Sequence, residues 1–413
     1  MKKLNILIVC EHASSQFGGE AMLPLNYFLL LSKMQHDVFL ITHSRVKPHL
    51  ENNNDIIQEH IFYIPDTWLH QFLYKISCKL PDRVSVVTTG VVMHFVTQIY
   101  QWKLAKKVIK LKKIDIVHEP APVSPAQPSM MFGLGVPVVI GPMNGGMAFP
   151  PAFQAMASRF ENMLYALVRF FSSLYNLLIP GKFLADVVLV ANIRTQKALP
   201  KFRLGQVIEL VENGIFSVVE KRPEQLIKHT LKVLYVGRLV DWKKIDILID
   251  AFNACKSQNI ELVIVGDGVL KHDLENYAIN SPLNKKITFT GAVSHAEINE
   301  IYDTADIFVL PSIRECGGAV VLEAMSRGLA VIATNWGGPA DYLAEGTGIL
   351  VEPRSREYLV QAFAKNIDLF AMDDQLRQQM GLAAIKHVSM HFLWQKKVEA
   401  VTTIYESLLK DKT

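Results

Sequence analysis

Two carboxylates eight positions apart, Glu315 and Glu323, stand in the run Pro311-Ser-Ile-Arg-Glu315-Cys-Gly-Gly318-Ala-Val-Val-Leu-Glu323. The residues before them, 305–310, are apolar apart from Asp306, as in a buried strand, and Pro311 ends that strand. Gly317 and Gly318 let the backbone approach a ligand before an amphipathic helix begins near Ala319. Free amides at the start of a helix face an anion. At about 1.5 Å per helical residue, the two acids are separated by roughly 10 Å, a span that suits a nucleotide sugar. One acid would hold sugar hydroxyls, the amides the pyrophosphate, and the second acid the ribose diol. Taken alone, the pair reads equally well as a loop charge and a solvated helix charge.

Four more clusters precede the acids: Asn213-Gly214, Gly237-Arg-Leu239 with Lys243, Gly266-Asp-Gly268 and Phe289-Thr-Gly291. Each follows an apolar run of strand length, so each is a strand-to-helix turn in the making. The strands that carry them come in two series. Candidates at 4–10, 37–42, 114–118, 136–140, 187–191 and 207–211 alternate with helical patterns, and a second series at 231–237, 261–265, 286–290, 306–310 and 330–334 follows a charged stretch at 220–229. Such alternation is the signature of α/β domains with parallel sheets covered by helices. Two doubly wound, Rossmann-like domains are expected, with a hinge near 212–230 and a cleft between the strand ends of both sheets.

Composition agrees with a large globular protein. A chain of 413 residues, 50% hydrophobic and 20% charged, exceeds one core and points to two domains. A net charge of +4 is too mild to argue for nucleic acid, and no basic and aromatic recognition module is present. Cys10, Cys78, Cys255 and Cys316 show no zinc or disulfide spacing, and a reducing cytoplasm is expected. The apolar run at 4–10 is too short for a signal peptide. Residues 84–102 carry no charge but hold Thr88, Thr97, Gln98 and Gln101, so they read as a loop leading into a surface helix instead of a membrane span. Residues 163–180, broken by Arg169, read as a helix packed at an interface.

With all five clusters in register, the chain resembles the retaining glycosyltransferases of family 4, which have the GT-B fold. The resemblance runs over nearly the whole chain, strongest across 207–348. It implies an N-terminal acceptor-binding Rossmann-like domain at 1–212, a C-terminal nucleotide-sugar-binding domain at 213–390, and a helix at 391–413 that crosses back to the first. It further implies transfer of a sugar from a nucleotide diphosphate donor with retained configuration, without cofactor or metal. Arg238 and Lys243 match the family's basic pair on the donor diphosphate, with Lys244 the neighbour most easily confused with Lys243. Glu315 matches the acid on the donor sugar, Gly317 and Gly318 the backbone contact, and Glu323 the acid on the ribose. Where the family usually has Phe before its second glycine, this chain has Cys316-Gly317-Gly318, which implies a differently shaped donor pocket.

In the N-terminal half, Gly18 and Gly19 match the glycine loop that closes over the donor phosphates. His118 ends a strand and stands at a position where relatives often carry histidine. It either orients the acceptor hydroxyl or donor sugar, or is a hydrogen-bonded structural histidine. Glu119 is a further acceptor-side candidate. Residues 120–158 contain no Asp, Glu, Lys or Arg and suit cleft-lining loops, with Asn144 able to bind sugar hydroxyls or only to pack. Trp336-Gly-Gly338 is placed on the donor side, with Asp341 as a helix start or cap.

No distinct carboxylate nucleophile stands out, so same-face attack is expected, the departing diphosphate taking the acceptor proton. A nucleotide-sugar epimerase would need acid–base pairs that do not stand out here. A phosphorylase would need a pyridoxal lysine and a longer chain, and a non-catalytic binding subunit would lose Arg238, Lys243 or Glu315. The expected acceptor is a glycan or polyprenyl-linked sugar of surface polysaccharide or glycolipid assembly. Nine Lys or Arg against the single acid Asp82 in 68–113, interleaved with Trp68, Phe72, Tyr74, Phe95, Tyr100 and Trp102, suit either an anionic membrane surface at the inner face or an ordinary solvated helix face.

Overall fold

The computed structural model describes residues 3–17, 19–53, 56–80, 85, 88–121, 124–156, 174–201, 203–220, 230–283 and 286–410. Two units divide the chain: Met1–Gly146 with Arg159–Glu212 and Lys397–Thr413, and Met147–Ser158 with Asn213–Lys396. The sheet of the first unit contains β1 (Asn5–Val9), β2 (Asp37–His43), β3 (Ile61–Ile64), β4 (Ile116–Glu119), β5 (Val138–Met143), β6 (Val187–Val190) and β7 (Gln206–Glu209). Its spatial order is β3-β2-β1-β4-β5-β6-β7, with every pairing parallel. The second unit contains β8 (Leu231–Val236), β9 (Ile260–Val265), β10 (Ile287–Gly291), β11 (Ile307–Leu310), β12 (Ala330–Thr334) and β13 (Gly348–Val351), in the order β10-β9-β8-β11-β12-β13, again all parallel.

Both sheets are therefore doubly wound, as the alternation of strands and helices predicts. The winding reverses between β1 and β4 in one sheet and between β8 and β11 in the other. Helices cover both faces, so the central strands are buried on both sides and read as continuous apolar runs, such as Val-Val-Leu-Val in β6 and Ile-Phe-Val-Leu in β11. The edge strands β3 and β13 escape the sequence reading. Each has only four residues, and two or three of those are half-buried, which weakens both the length and the hydrophobic signal.

The reading of 84–102 needs correction. A helix already begins within it and runs over Thr89–Lys112, and its polar side is the buried one: Thr97, Gln98 and Gln101 are almost wholly shielded from solvent. Thr97 and Gln98 are tolerated inside because they are hydrogen-bonded. Gln98 Nε2 donates to Glu119 at 2.6 Å, and Thr97 Oγ1 lies 3.1 Å from His70 Nε2. Among the described residues no helix is long and apolar enough to cross a membrane. The interface helix expected at 163–180 and the charged stretch at 220–229 fall largely outside the described residues.

Candidate functional site

In open α/β sheets the loops after the two strands flanking the reversal point form the natural binding crevice. In the second unit these are the loops after β8 and β11. Two hydrogen bonds tie them together: Ile313 N–H donates to Trp242 C=O at 3.0 Å, and Ser312 Oγ reaches the same carbonyl at 3.4 Å. The turn after β8 is also held from β9, since Leu239 N–H donates to Asp267 C=O at 2.9 Å. The outcome is an ion pair between Lys243 Nζ and the Glu315 carboxylate, both side chains mostly buried. Lys243 stands in the short 3-10 turn Asp241–Lys243, whereas Lys244 has a left-handed backbone and opens the next helix. Arg238 lies exposed on the same loop.

The acid loop is held by glycines. Gly318 adopts φ +79°, and a Cβ there would lie 2.8 Å from Glu315 Cγ, so only glycine gives this turn without strain. It is the N-cap of the helix Ala319–Ser326, which starts where the sequence places it. From the neighbouring turn, Gly338 N–H donates to Glu315 C=O at 2.8 Å, and a Cβ on Gly338 would fall 1.7 Å from the Gly317 carbonyl oxygen. Asp341 sits inside the short helix Gly338–Tyr342, whose N-cap is Gly337, so it does not cap that helix. Glu323, on the helix, accepts a hydrogen bond at 2.9 Å from Tyr302, a fully buried tyrosine whose hydroxyl is kept protonated by burial and by the nearby carboxylate.

The first unit disposes of its candidates differently. Gly18 lies outside the described residues, and Gly19 opens the helix Gly19–Lys33 after β1. His118 is wholly buried in β4, with Nε2 2.6 Å from Gly141 C=O and Nδ1 2.6 Å from Tyr405 Oη. Burial pushes its pKa down to about 4, so the ring is neutral at pH 7 and occupied at both nitrogens. Glu119 is likewise buried: Gln98 and Ser129 donate to its two oxygens, and burial raises its pKa. Asn144 Nδ2 donates to Glu212 at 2.7 Å, and its Oδ1 lies 3.5 Å from both Asn192 Nδ2 and Thr195 Oγ1. All three side chains thus have partners within the protein, because strand ends in the middle of a covered sheet are buried on both faces.

Residues 218–387, the stretch holding Arg238, Lys243, Glu315 and Glu323, match the family described as Glycosyl transferases group 1. This segment belongs to the group 1 glycosyl transferases. An uncharacterized glycosyltransferase of Methanocaldococcus jannaschii is 30% identical over 176 residues, 42% of this chain and 44% of that one. A sulfoquinovosyl transferase of Arabidopsis thaliana is 27% identical over 297 residues, 66% of this chain and 52% of that one. The chain thus spans about half the length of the curated relatives it matches. Among solved structures, Anabaena HepE in complex with UDP-glucose superposes with a TM-score of 0.63 at 16% identity, over 98% of this chain and 100% of that one. The chain has the GT-B fold.

Two positioning groups of this chain, Tyr302 and Lys182, escape the sequence reading. Tyr302 reads as an ordinary helix residue, yet it fixes Glu323. Trp336, which the sequence already places on the donor side, donates through Nε1 to Ala148 C=O at 2.8 Å, and the Arg314 guanidinium lies 5.1 Å from the centre of the Phe149 ring, so the segment around Ala148 and Phe149 packs beside the acid loop although it is remote in sequence. Lys182, buried, donates to the carbonyls of Ser124 and Pro125 at 2.8 and 3.2 Å, and burial lowers its pKa to about 7. The spacing of neither Tyr302 nor Lys182 marks it.

Proposed function

We propose that this protein is a retaining, metal-independent hexosyltransferase that moves a sugar from a nucleotide diphosphate sugar to a glycan or lipid-linked acceptor in surface polysaccharide or glycolipid assembly. The observation that carries the reading is the meeting of Lys243 and Glu315 at the β8/β11 reversal point, with Arg238 on the same loop and the glycine-capped helix Ala319–Ser326 beside them. Arg238 and Lys243 neutralise the diphosphate as the glycosidic bond breaks, which is where negative charge grows. Glu315 orients the donor sugar and Glu323, steadied by Tyr302, the ribose diol. The acceptor hydroxyl attacks from the face the diphosphate is leaving, and a departing phosphate oxygen takes its proton. A bound donor replaces the Lys243–Glu315 pair with a lysine–phosphate and an acid–hydroxyl contact, so the pair serves as the resting arrangement of the site.

The donor half is tested by thermal shift and hydrolysis with UDP-, GDP- and ADP-sugars. One of them should stabilise the protein and be slowly hydrolysed, and no response to any of them counts against the reading.

Docking to an anionic inner membrane face would bring the protein to a lipid-linked acceptor. It is supported by the exposed Trp68, Phe72, Tyr74, Phe95 and Tyr100 on the helices Trp68–Ser77 and Thr89–Lys112, beside Lys75, Lys79, Lys103 and Lys106. Flotation with anionic liposomes at low and high salt tests this, and a bound fraction insensitive to salt would sink it.

A further inference from the structure

At the C-terminal ends of β2 and β3 the first unit gathers polar groups for which the donor chemistry has no use. Among the described residues Arg45, Asp66, Gln71, Tyr74 and Lys75 line a cavity of about 490 Å³, within the range of small-ligand sites. Arg45 comes just after β2 and Asp66 just after β3. The other three project from one face of the helix Trp68–Ser77, being three and four positions apart. Asp66 Oδ1 holds the Arg45 guanidinium at 2.7 Å, which fixes the direction of its remaining donors.

Behind this wall stands His43, fully buried. Its Nδ1 accepts the Arg45 backbone N–H at 3.2 Å, which leaves the proton on Nε2. That Nε2 is buried without a hydrogen-bond partner, 3.7 Å from Asp66 Oδ1. Burial and the Arg45 charge hold the imidazole at a pKa of about 4, so it is neutral at pH 7.

The neighbourhood has the spacing of a metal site, since ligand atoms of His43, Asp66 and His70 all lie within 4.8 Å of one another. The tautomers argue against that use. His70 Nδ1 accepts the Thr67 N–H at 3.3 Å, and its Nε2 faces Thr97 Oγ1 at 3.1 Å. Both rings therefore present an N–H where a metal needs a lone pair, and Arg45 adds positive charge beside them. A corner of N–H donors and cations suits an anion.

We propose that the cavity binds an oxyanion, a phosphate or carboxylate carried by the acceptor, with Arg45 and Lys75 as its cations and Gln71 and Tyr74 as hydrogen-bonding partners of the attached hydroxyls. Two cations face one carboxylate, so the wall is positive overall and Arg45 keeps free N–H donors for a forked contact. Asp66 orients Arg45. The inference deepens the acceptor side of the proposed function and rests on that reading for the identity of the ligand's owner.

The test is calorimetric titration with glucose 6-phosphate, inorganic phosphate and glucose, together with flotation on phosphatidic acid and phosphatidylcholine vesicles, for the native protein and for Lys75→Gln and Arg45→Gln. Lys75 is exposed, so its variant folds even if loss of Arg45 disturbs Asp66. Glucose 6-phosphate should bind where glucose does not, and Lys75→Gln should weaken it about tenfold. Binding to phosphatidic acid vesicles alone, lost in Lys75→Gln, would assign the oxyanion to a lipid headgroup. If no anionic probe binds, or if Lys75→Gln binds each as well as the native protein, the inference is overturned. The thermal shift with nucleotide sugars, run on the same samples, separates that result from a failure of the donor reading.

Discussion

At the level of single residues, Lys243 and Glu315 in the proposed donor site are charges that cancel each other. Lys243 and Glu315 are mostly buried and paired, so removing either leaves the other buried without its partner. Lys243→Ala is expected to lower the rate of transfer by roughly 10²–10³, as for the loss of one group that stabilises developing charge. Glu315→Gln should reduce donor stabilisation while leaving a correctly folded protein, read as a smaller thermal shift with the same circular dichroism spectrum. Tyr302→Phe removes one hydrogen bond from Glu323 and should cost about 1–2 kcal/mol, seen as a donor KM several times higher with little change in kcat. A fall in kcat alone would mean that Glu323 acts on the reacting centre and not on the ribose. Glu315 and Glu323 were legible in the sequence because turn glycines and a proline bracket them. Tyr302 was not, since a tyrosine on an amphipathic helix looks the same whether its hydroxyl meets water or a carboxylate.

The elements that carry these charges are two strand-to-helix loops kept at close quarters by glycines. Gly338→Ala would drive a methyl group into the Gly317 carbonyl, and Gly318→Ala would place a side chain on a left-handed backbone, against Glu315. Each should lower stability by about 1–3 kcal/mol and reduce the donor response further, because the loop itself must move. Gly19→Ala is the control. A Cβ there meets nothing within 4 Å, so stability should stay within roughly 0.5 kcal/mol. A donor response lost in Gly19→Ala without loss of stability would support its place in a phosphate loop. Differential scanning fluorimetry with and without nucleotide sugar reads all three variants. Strand positions in the middle of each sheet were legible from their apolar runs, whereas β3 and β13, short and half-exposed, were not.

Across the whole chain, stability depends on groups buried in their neutral forms. His118 has a folded pKa of about 4, below the ordinary 6.5, so between those values the unfolded chain takes up the proton first. Its contribution is complete above about pH 6.5 and is lost as the pH falls towards 4, by roughly 3 kcal/mol in all. Urea unfolding at pH 7 and pH 5 should show that loss, and a His118→Phe variant should flatten the profile even if it starts from lower stability. Tyr405→Phe leaves the buried Nδ1 of His118 without its hydroxyl and should cost about 1–3 kcal/mol by the same assay. That contact joins residues 287 positions apart within the first unit, to which Lys397–Thr413 belong. The sequence by itself determined the alternating, doubly wound sheets and the glycine-bracketed turn that carries Glu315, because periodicity, turn glycines and motif spacing are local properties that survive without coordinates. Only the tertiary structure decided that His118, Glu119 and Asn144 are spent on internal partners and that Arg45, Asp66 and Lys75 share a cavity. Burial and pairing depend on which distant segments fold together, and no local pattern records that.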